Sequence, residues 1–541
     1  MRKTALVILV LLGVVLPAPL VHAQEEGSNA LPWWNDRVFY EIFVRSFYDS
    51  DGDGIGDLRG VIEKLDYLND GDSTTTDDLG ITGIWLMPIA ESPSYHGYDV
   101  VDYRTVEQDY GTNEDFRLLV EEAHARGIAV IVDLVVNHTS DQHPWFLASQ
   151  AGDPAYRNWY IWTNENPAYP GPWGQQVWHQ DGDRYYYGVF WSGMPDLNYN
   201  LPPVTAEMYD IARFWLEEMG ADGFRLDAIR YILEEGRAQA DTRSTLTWLA
   251  NFDDFIDSVK PDALTVGEIW TTSIAVARYV ERGAVDMGFD FDLAGAMLSS
   301  ASSGDRTAAM RAQAQAIKFF PPGQYAAFLT NHDQPRVMTH LLGDEGAARV
   351  AATLLLTNPG VSFIYYGEEI GMTGGKPDEC IRTPMQWDDS PPVAAFTVGT
   401  LCETLPPETY ATANVAAQTD DPDSLLSHYR ALIHLRNAQP ALRRGDFVPV
   451  ESDASSVYSF IRHTADDALL VVVNLLQEPV DGYTLSLAEG PLSGAVGATL
   501  LFGAGAVGAP AVNDAGGFDA YTPLPTLPAR SSFIVALTTP E

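Results

Sequence analysis

A (β/α)8 barrel with an inserted domain after its third strand and an all-β sandwich at its C-terminus is the α/β fold class this sequence predicts. Three observations carry that expectation. Apolar runs of strand length recur with helical stretches between them, one connection is far too long for a turn and a helix, and the pattern changes to short alternating runs near residue 445.

The strands are expected at 38–44, 83–87, 128–135, 223–226, 264–267, 287–289, 326–329 and 362–366. Each is a short run dominated by apolar residues, as strands covered on both faces are. Helical patterns at 112–126, 206–219 and 347–356 lie between several of them, giving a barrel over 24–138 and 202–445. The stretch 139–201 is rich in Trp, Tyr, Pro, Gly and Asn, and a structureless loop of that length is improbable, so it reads as an inserted domain. Residues 446–541 alternate like the strands of a sandwich.

Composition narrows the partners. Among 541 residues, 74 are acidic and 32 basic, and the net charge of −42 repels phosphate backbones and anionic headgroups. Nucleic acid and membrane surfaces are therefore excluded as partners. A neutral, hydroxyl-rich ligand meets no such repulsion, and 13 Trp and 25 Tyr offer it flat faces. At the N-terminus, Arg2 and Lys3 precede an apolar run over 5–16 and then Val21-His22-Ala23. This is the pattern of a signal peptide over 1–23, and the run is short of the roughly 20 residues that span a bilayer. The expectation is a secreted protein, extracellular or periplasmic, acting as a monomer. Cys380 and Cys402 are the only cysteines, and an oxidising compartment permits one bridge between them.

Four apolar runs end in polar clusters: Asp133 to His138, Gly223 to Asp227, Val266 to Trp270 and Thr330 to Asp333. In a parallel barrel the C-terminal strand ends converge on one face, so these clusters should meet. Glycoside cleavage needs one carboxylate as nucleophile and one carboxylic acid to protonate the leaving oxygen. Arg225 lies two residues before Asp227, on the same face of a strand, and can hold its carboxylate ionised, which suits a nucleophile. Glu268 has apolar neighbours that raise its pKa, which suits the acid.

With these motifs in order, the chain resembles the alpha-amylase superfamily, glycoside hydrolase family 13, from Trp33 onward. The resemblance implies that Asp227 forms the glycosyl enzyme, Glu268 acts as acid and then base, and Asp333 binds sugar hydroxyls. It implies substrate contacts from His96, Tyr98 and Asp99 in His96-Gly97-Tyr98-Asp99, from His138, Arg225 and His332, and from Arg382 in Arg382-Thr383-Pro384-Met385-Gln386-Trp387. Met194-Pro195-Asp196-Leu197-Asn198 resembles the segment of an intermediate group between oligo-1,6-glucosidases and neopullulanases. Ala228 resembles α-1,4-acting members. Exo-acting members usually place Asp where this chain has Tyr95, so the resemblance implies an open cleft for α-glucans or malto-oligosaccharides. An exo-α-glucosidase and a maltose-converting transglycosylase are the alternatives. A non-catalytic relative would typically have lost a catalytic acid, and none is lost here.

Asp49, Asp51, Asp53, Ile55 and Asp57 offer oxygen at alternate positions, with Gly at the turns, as a structural Ca²⁺ requires. Where an EF-hand needs Glu at its twelfth position this chain has Gly60. Asn137 resembles a ligand of a separate calcium between barrel and insert in many α-amylases, although Tyr231 stands where those enzymes usually have His.

Overall fold

The structure is a computed structural model that describes residues 31–399 and 404–538. The expected signal peptide and Cys402, hence the Cys380–Cys402 bridge, lie outside the described residues. No described helix is long and apolar enough to cross a membrane.

Eight parallel strands close into a barrel: β1 (Val38–Ile42), β2 (Gly83–Leu86), β3 (Ala129–Leu134), β4 (Gly223–Leu226), β5 (Leu264–Gly267), β6 (Met287–Phe289), β7 (Tyr325–Ala327) and β8 (Val361–Tyr365). Each pairs with its sequence neighbours, and β1 closes on β8 through Phe39 opposite Phe363 and Glu41 opposite Tyr365. Every residue of all eight strands is buried, which explains why their sequences are mostly apolar. Strand β7 ends earlier than its sequence suggests. Phe328 and Leu329 stay buried but leave the ladder as the chain turns toward Asn331 and His332.

Side chains that enter the barrel alternate along each strand, which separates apolar from polar layers. Phe39, Ile131, Leu264, Met287, Ala326 and Phe363 form part of an apolar plug, where Phe39 stacks on Phe363 at 4.7 Å. Gly83 makes room for it: a Cβ there would sit 2.6 Å from the Phe39 ring. Two residues farther along β1 and β3 stand Glu41 and Asp133, and Arg225, two residues past Gly223 on β4, sits opposite Asp133 in register. The charged groups thus ride on a packed base at the C-terminal end of the strands.

The helices follow their end signals. Helix α1 (Asn113–Ala125) begins at a capping box in which Thr112 and Asp115 exchange hydrogen bonds. Helix α2 (Pro202–Arg213) starts earlier than the expected 206 because Pro202 and Pro203 sit in the first turn, where a missing N–H costs nothing. It continues as a π-turn to Glu218. Helix α3 (Glu345–Thr357) ends against the C-terminal sheets. There the fully buried Arg436 and Arg462 donate to the carbonyls of Leu356, Asn358 and Thr357.

Between β3 and α2, the strands Trp162–Thr163, Arg184–Tyr187 and Trp178–Asp181 form a small antiparallel sheet. Phe146, Tyr160, Trp162 and Tyr186 pack their rings into one cluster there, replacing the aliphatic core that so short a segment lacks. After Gly445, a five-stranded sheet faces a three-stranded one across an apolar cluster that includes Ile461, Leu485, Phe518 and Val535.

Candidate active site

The centre of the site is Arg225. It is 1 % exposed and ion-pairs with Asp133 at 2.8 Å, Asp227 at 2.8 Å and Glu268 at 3.0 Å. Asp133 takes two hydrogen bonds from Nη1, and Tyr98 donates to the same carboxylate at 3.1 Å. One cation therefore serves three acids from β3, β4 and β5. Burial disfavours the guanidinium charge, but Asp133, Glu268 and Asp227 outweigh it and push its pKa above the usual arginine range.

The acids respond differently to that shared charge. Burial, opposed by Arg225 and reinforced by Asp133 and Asp333, lifts Asp227 to about 6. Burial also lifts Asp133 to about 6 against Arg225. Glu268 rises to about 7 by burial, again opposed by Arg225 and reinforced by Asp227 and Asp333. The expectation that Arg225 holds Asp227 ionised is met only in part: a guanidinium divided among three carboxylates does not cancel the desolvation of each, so Asp227 stays above the ordinary carboxylate range. The order survives: Asp227 gives up its proton before Glu268. Ala228 helps to place Glu268, donating its N–H to Oε2 at 3.1 Å from a left-handed conformation, φ +51°, that only a constrained turn imposes on a non-glycine residue.

Asp333 stands across the cleft in a different field. Arg382 Nη2 donates to it at 2.8 Å, and His332 Nε2 lies 3.3 Å from its other oxygen. Burial would raise its pKa, but His332, Arg382 and Arg225 outweigh burial and hold it below the ordinary carboxylate range. The site thus contains an ionised acid beside an acid poised near neutrality.

The remaining sequence candidates gather around these groups. The Tyr98 ring stacks on His332 with centroids 5.5 Å apart, and its hydroxyl contacts His332 Nε2 at 2.7 Å. His96 accepts from the Tyr98 N–H at 3.1 Å, and Asp99 lies 3.8 Å from His96 while accepting from Ser92 and Ser94. Asp99 thus supports the His96–Tyr98 turn and is absent from the cleft lining. His138 donates from Nε2 to the Tyr98 carbonyl at 3.2 Å, and burial drives its pKa down to about 3, so it is neutral.

These residues open into a cleft of about 660 Å³. Its rim includes Trp270, which closes the sequence cluster after β5, and groups that the sequence did not single out: Trp173 and Trp191 from the insert, and Arg230. The three indoles are 46–56 % exposed. Trp270 stacks one face on Phe291 at 4.6 Å, and Arg230 donates to its carbonyl at 2.6 Å. Tyr95 lies against Phe43 and His96, under the Arg382 guanidinium at 5.8 Å. For Trp173 and Trp191 the signal in the sequence was the aromatic content of the insert.

In the loop after β1, the carboxylates of Asp49, Asp51 and Asp57 lie within 4.8 Å of one another. Gly52 and Gly54, at φ +86° and +101°, turn the chain so that the N–H groups of Gly52 and Gly54 also reach Asp49. The donor set is hard oxygen, which fits Ca²⁺. One expected ligand does not join these carboxylates: Asp53 is exposed at the loop tip and accepts from the Ile55 N–H at 2.8 Å. At the seam with the insert, Asn137 Oδ1 and Asp196 Oδ2 are buried without a hydrogen-bond partner. Burial and Glu234 push Asp196 well above the carboxylate range, and burial lifts Glu234 to about 7. Unpartnered buried oxygens beside a second acid also suit a hard cation.

Comparison with known proteins gives the family and the fold. Residues 41–445 match the family model described as alpha amylase, catalytic domain. "Alpha-amylase 3" of Dictyoglomus thermophilum is 39 % identical over 451 residues, covering 82 % of this chain and 85 % of that one. An oligo-1,6-glucosidase of Parageobacillus thermoglucosidasius is 34 % identical over 522 residues, covering 82 % and 91 %. The crystal structure of an alpha-amylase from H. orenii superposes with a TM-score of 0.79 at 43 % identity, covering 93 % of this chain and 99 % of that one.

Replacing Arg225 tests the shared-charge arrangement. The folded pKa values of Asp133, Asp227 and Glu268 all lie above ordinary carboxylate values, so their protonated forms favour folding and stability falls as pH rises through about 6–7. Arg225→Met leaves three buried acids without that cation. Its stability loss should reach about 3–5 kcal/mol near pH 8 and shrink near pH 5, measured by denaturant unfolding at both.

Proposed function

The chain belongs to the alpha-amylase family, and on that premise we propose that this retaining α-glucoside hydrolase cleaves α-1,4 bonds of starch and maltodextrins, with Asp227 as nucleophile and Glu268 as acid/base. The carrying observation is the pair Asp227 and Glu268, joined through one guanidinium and titrating near 6 and 7. Near neutral pH, Asp227 is largely ionised while Glu268 keeps a proton for a substantial fraction of the time.

Asp227 attacks the anomeric carbon as Glu268 gives its proton to the leaving glycosidic oxygen. The glycosyl ester is then opened by a water whose proton passes to Glu268. Arg225 neutralises part of the charge left on both residues. Asp333, ionised between Arg382 and His332, accepts hydrogen bonds from sugar hydroxyls, and Tyr98 supplies the flat face beside the ring. All these groups come from one barrel, consistent with a monomer.

Two features support an open, α-1,4-acting cleft. Tyr95 occupies the position of the Asp that clamps a terminal sugar in exo-acting relatives of the resembled family. The exposed faces of Trp173, Trp191 and Trp270 extend the binding surface beyond the carboxylates. Product analysis over time on starch and on maltose tests this reading. Mixed oligosaccharides should appear early from starch; glucose alone would mean an exo-glucosidase, and trehalose or longer transfer products would mean a transglycosylase.

The titrations set the pH profile. kcat/KM should fall below about pH 6 as Asp227 gains a proton and above about pH 7 as Glu268 loses one. In Glu268→Gln, the alkaline limb should vanish on a substrate whose leaving group needs no proton, while the acid limb stays.

A Ca²⁺ held by Asp49, Asp51 and Asp57 would tie the loop after β1 to the start of the helix Leu58–Glu63, which Asp57 caps at Gly60 N. A second cation would be held by the unpartnered oxygens of Asn137 and Asp196. Both roles are structural, and no chemical step passes through either. Because an ion bound only to the folded form stabilises it, EDTA should lower the melting temperature of the wild type and have less effect on Asp49→Asn. Export is read from Arg2, Lys3 and the apolar run that precedes Ala23.

A further inference from the structure

We propose that Glu41 is a positioning residue of the active site: its carboxylate holds His332 as an imidazolium that presents N–H to Asp333 and to the bound sugar. The proposal rests on the site reading above and adds a residue outside the four strand-end clusters. Glu41 stands near the end of β1, 2 % exposed, and its Oε1 lies 2.5 Å from His332 Nδ1.

The protonation state follows from what each ring nitrogen faces. Nδ1 faces a carboxylate, which only accepts. Nε2 faces the Tyr98 hydroxyl at 2.7 Å and Asp333 Oδ2 at 3.3 Å. The Tyr98 hydroxyl already donates to Asp133, so its oxygen is left to accept from Nε2. Both nitrogens therefore donate, which only the charged ring can do.

Other groups around the ring are consistent with that charge. Arg382 donates to the His332 carbonyl at 3.0 Å and disfavours a second cation, while Asp133 and Asp227 lie near enough to feel the imidazolium. Arg225 sits behind Tyr98, and its Nη1 approaches the Tyr98 hydroxyl at 3.4 Å. Burial lowers the His332 pKa, but Asp333 and Glu41 outweigh it and the net direction is up. Trp85 meets the ring edge-on at 5.7 Å and Tyr98 stacks on it at 5.5 Å, so its orientation is fixed from both sides. Removing the Glu41 charge while keeping its shape should leave the ring in place and take away its proton.

Glu41→Gln does this, since the amide oxygen still accepts from Nδ1. In ¹⁵N-histidine-labelled protein, with His332 assigned by its loss in His332→Gln, the wild type should show two protonated ring nitrogens at neutral pH. Glu41→Gln should lose one of those protons at least about one pH unit lower, a tenfold shift. A second readout is maltoheptaose binding by Glu268→Gln with and without Glu41→Gln. The added substitution should weaken binding about tenfold or more at neutral pH and much less at low pH, where His332 is charged in both. A neutral His332 in the wild type, identical titrations in the two proteins, or a loss of binding independent of pH would overturn the proposal. Should Glu41→Gln fail to fold, the wild-type spectrum decides alone. The spectra need no turnover, so failure of the hydrolase reading would be seen separately.

Discussion

One guanidinium divided among three carboxylates is the constraint from which the site follows. Arg225 enters the barrel from β4 and meets Asp133 from β3, Asp227 at the end of its own strand and Glu268 after β5. Three acids so close would be untenable without it, because burying an unpaired carboxylate is far more costly than protonating it. With it, their pKa values settle between about 6 and 7 rather than far higher, the range in which one acid attacks while its neighbour still carries a proton. The apolar plug below, with Phe39 stacked on Phe363, is what allows these polar groups to be held out of water without collapse of the barrel.

A second charge centre stands opposite. Asp333 is held ionised by Arg382 and His332, and His332 in turn is anchored to Glu41 on β1. The two centres meet at Tyr98, whose hydroxyl touches Asp133 on one side and His332 on the other. A sugar ring seated on Tyr98 would therefore lie between an acid pair near its titration point and an acid far from it. That asymmetry allows acids of one chemical type to do different work.

The fold was legible because each barrel strand is a short, largely apolar run and the site-bearing ones end in polar residues. Those ends marked Asp227, Glu268 and Asp333, and the two-residue spacing of Arg225 and Asp227 told that they share a face. The sequence could not tell that Asp133 and Glu268 reach the same guanidinium, because that depends on which strands are neighbours. Glu41 was illegible for a related reason. A single acid among Phe39, Tyr40 and Ile42 carries no motif, and His332 lies 291 residues away. That Trp173 and Trp191 would join Trp270 in one rim was hidden, because the three do not lie together in the sequence. In the acidic loop after β1, alternation pointed to five ligands, but the turns at Gly52 and Gly54 bring three carboxylates together and leave Asp53 at the tip.

The central claim is that Asp227 makes the bond to the sugar while Glu268 manages the proton. A fluorinated maltosyl fluoride forms its glycosyl ester readily and releases it slowly, so the intermediate accumulates and survives digestion. Mass spectrometry of the peptides should then find one added glycosyl group, on Asp227, formed with loss of fluoride. An ester on Asp133, Glu268 or Asp333, or free sugar released with inverted configuration and no labelled peptide, would contradict it.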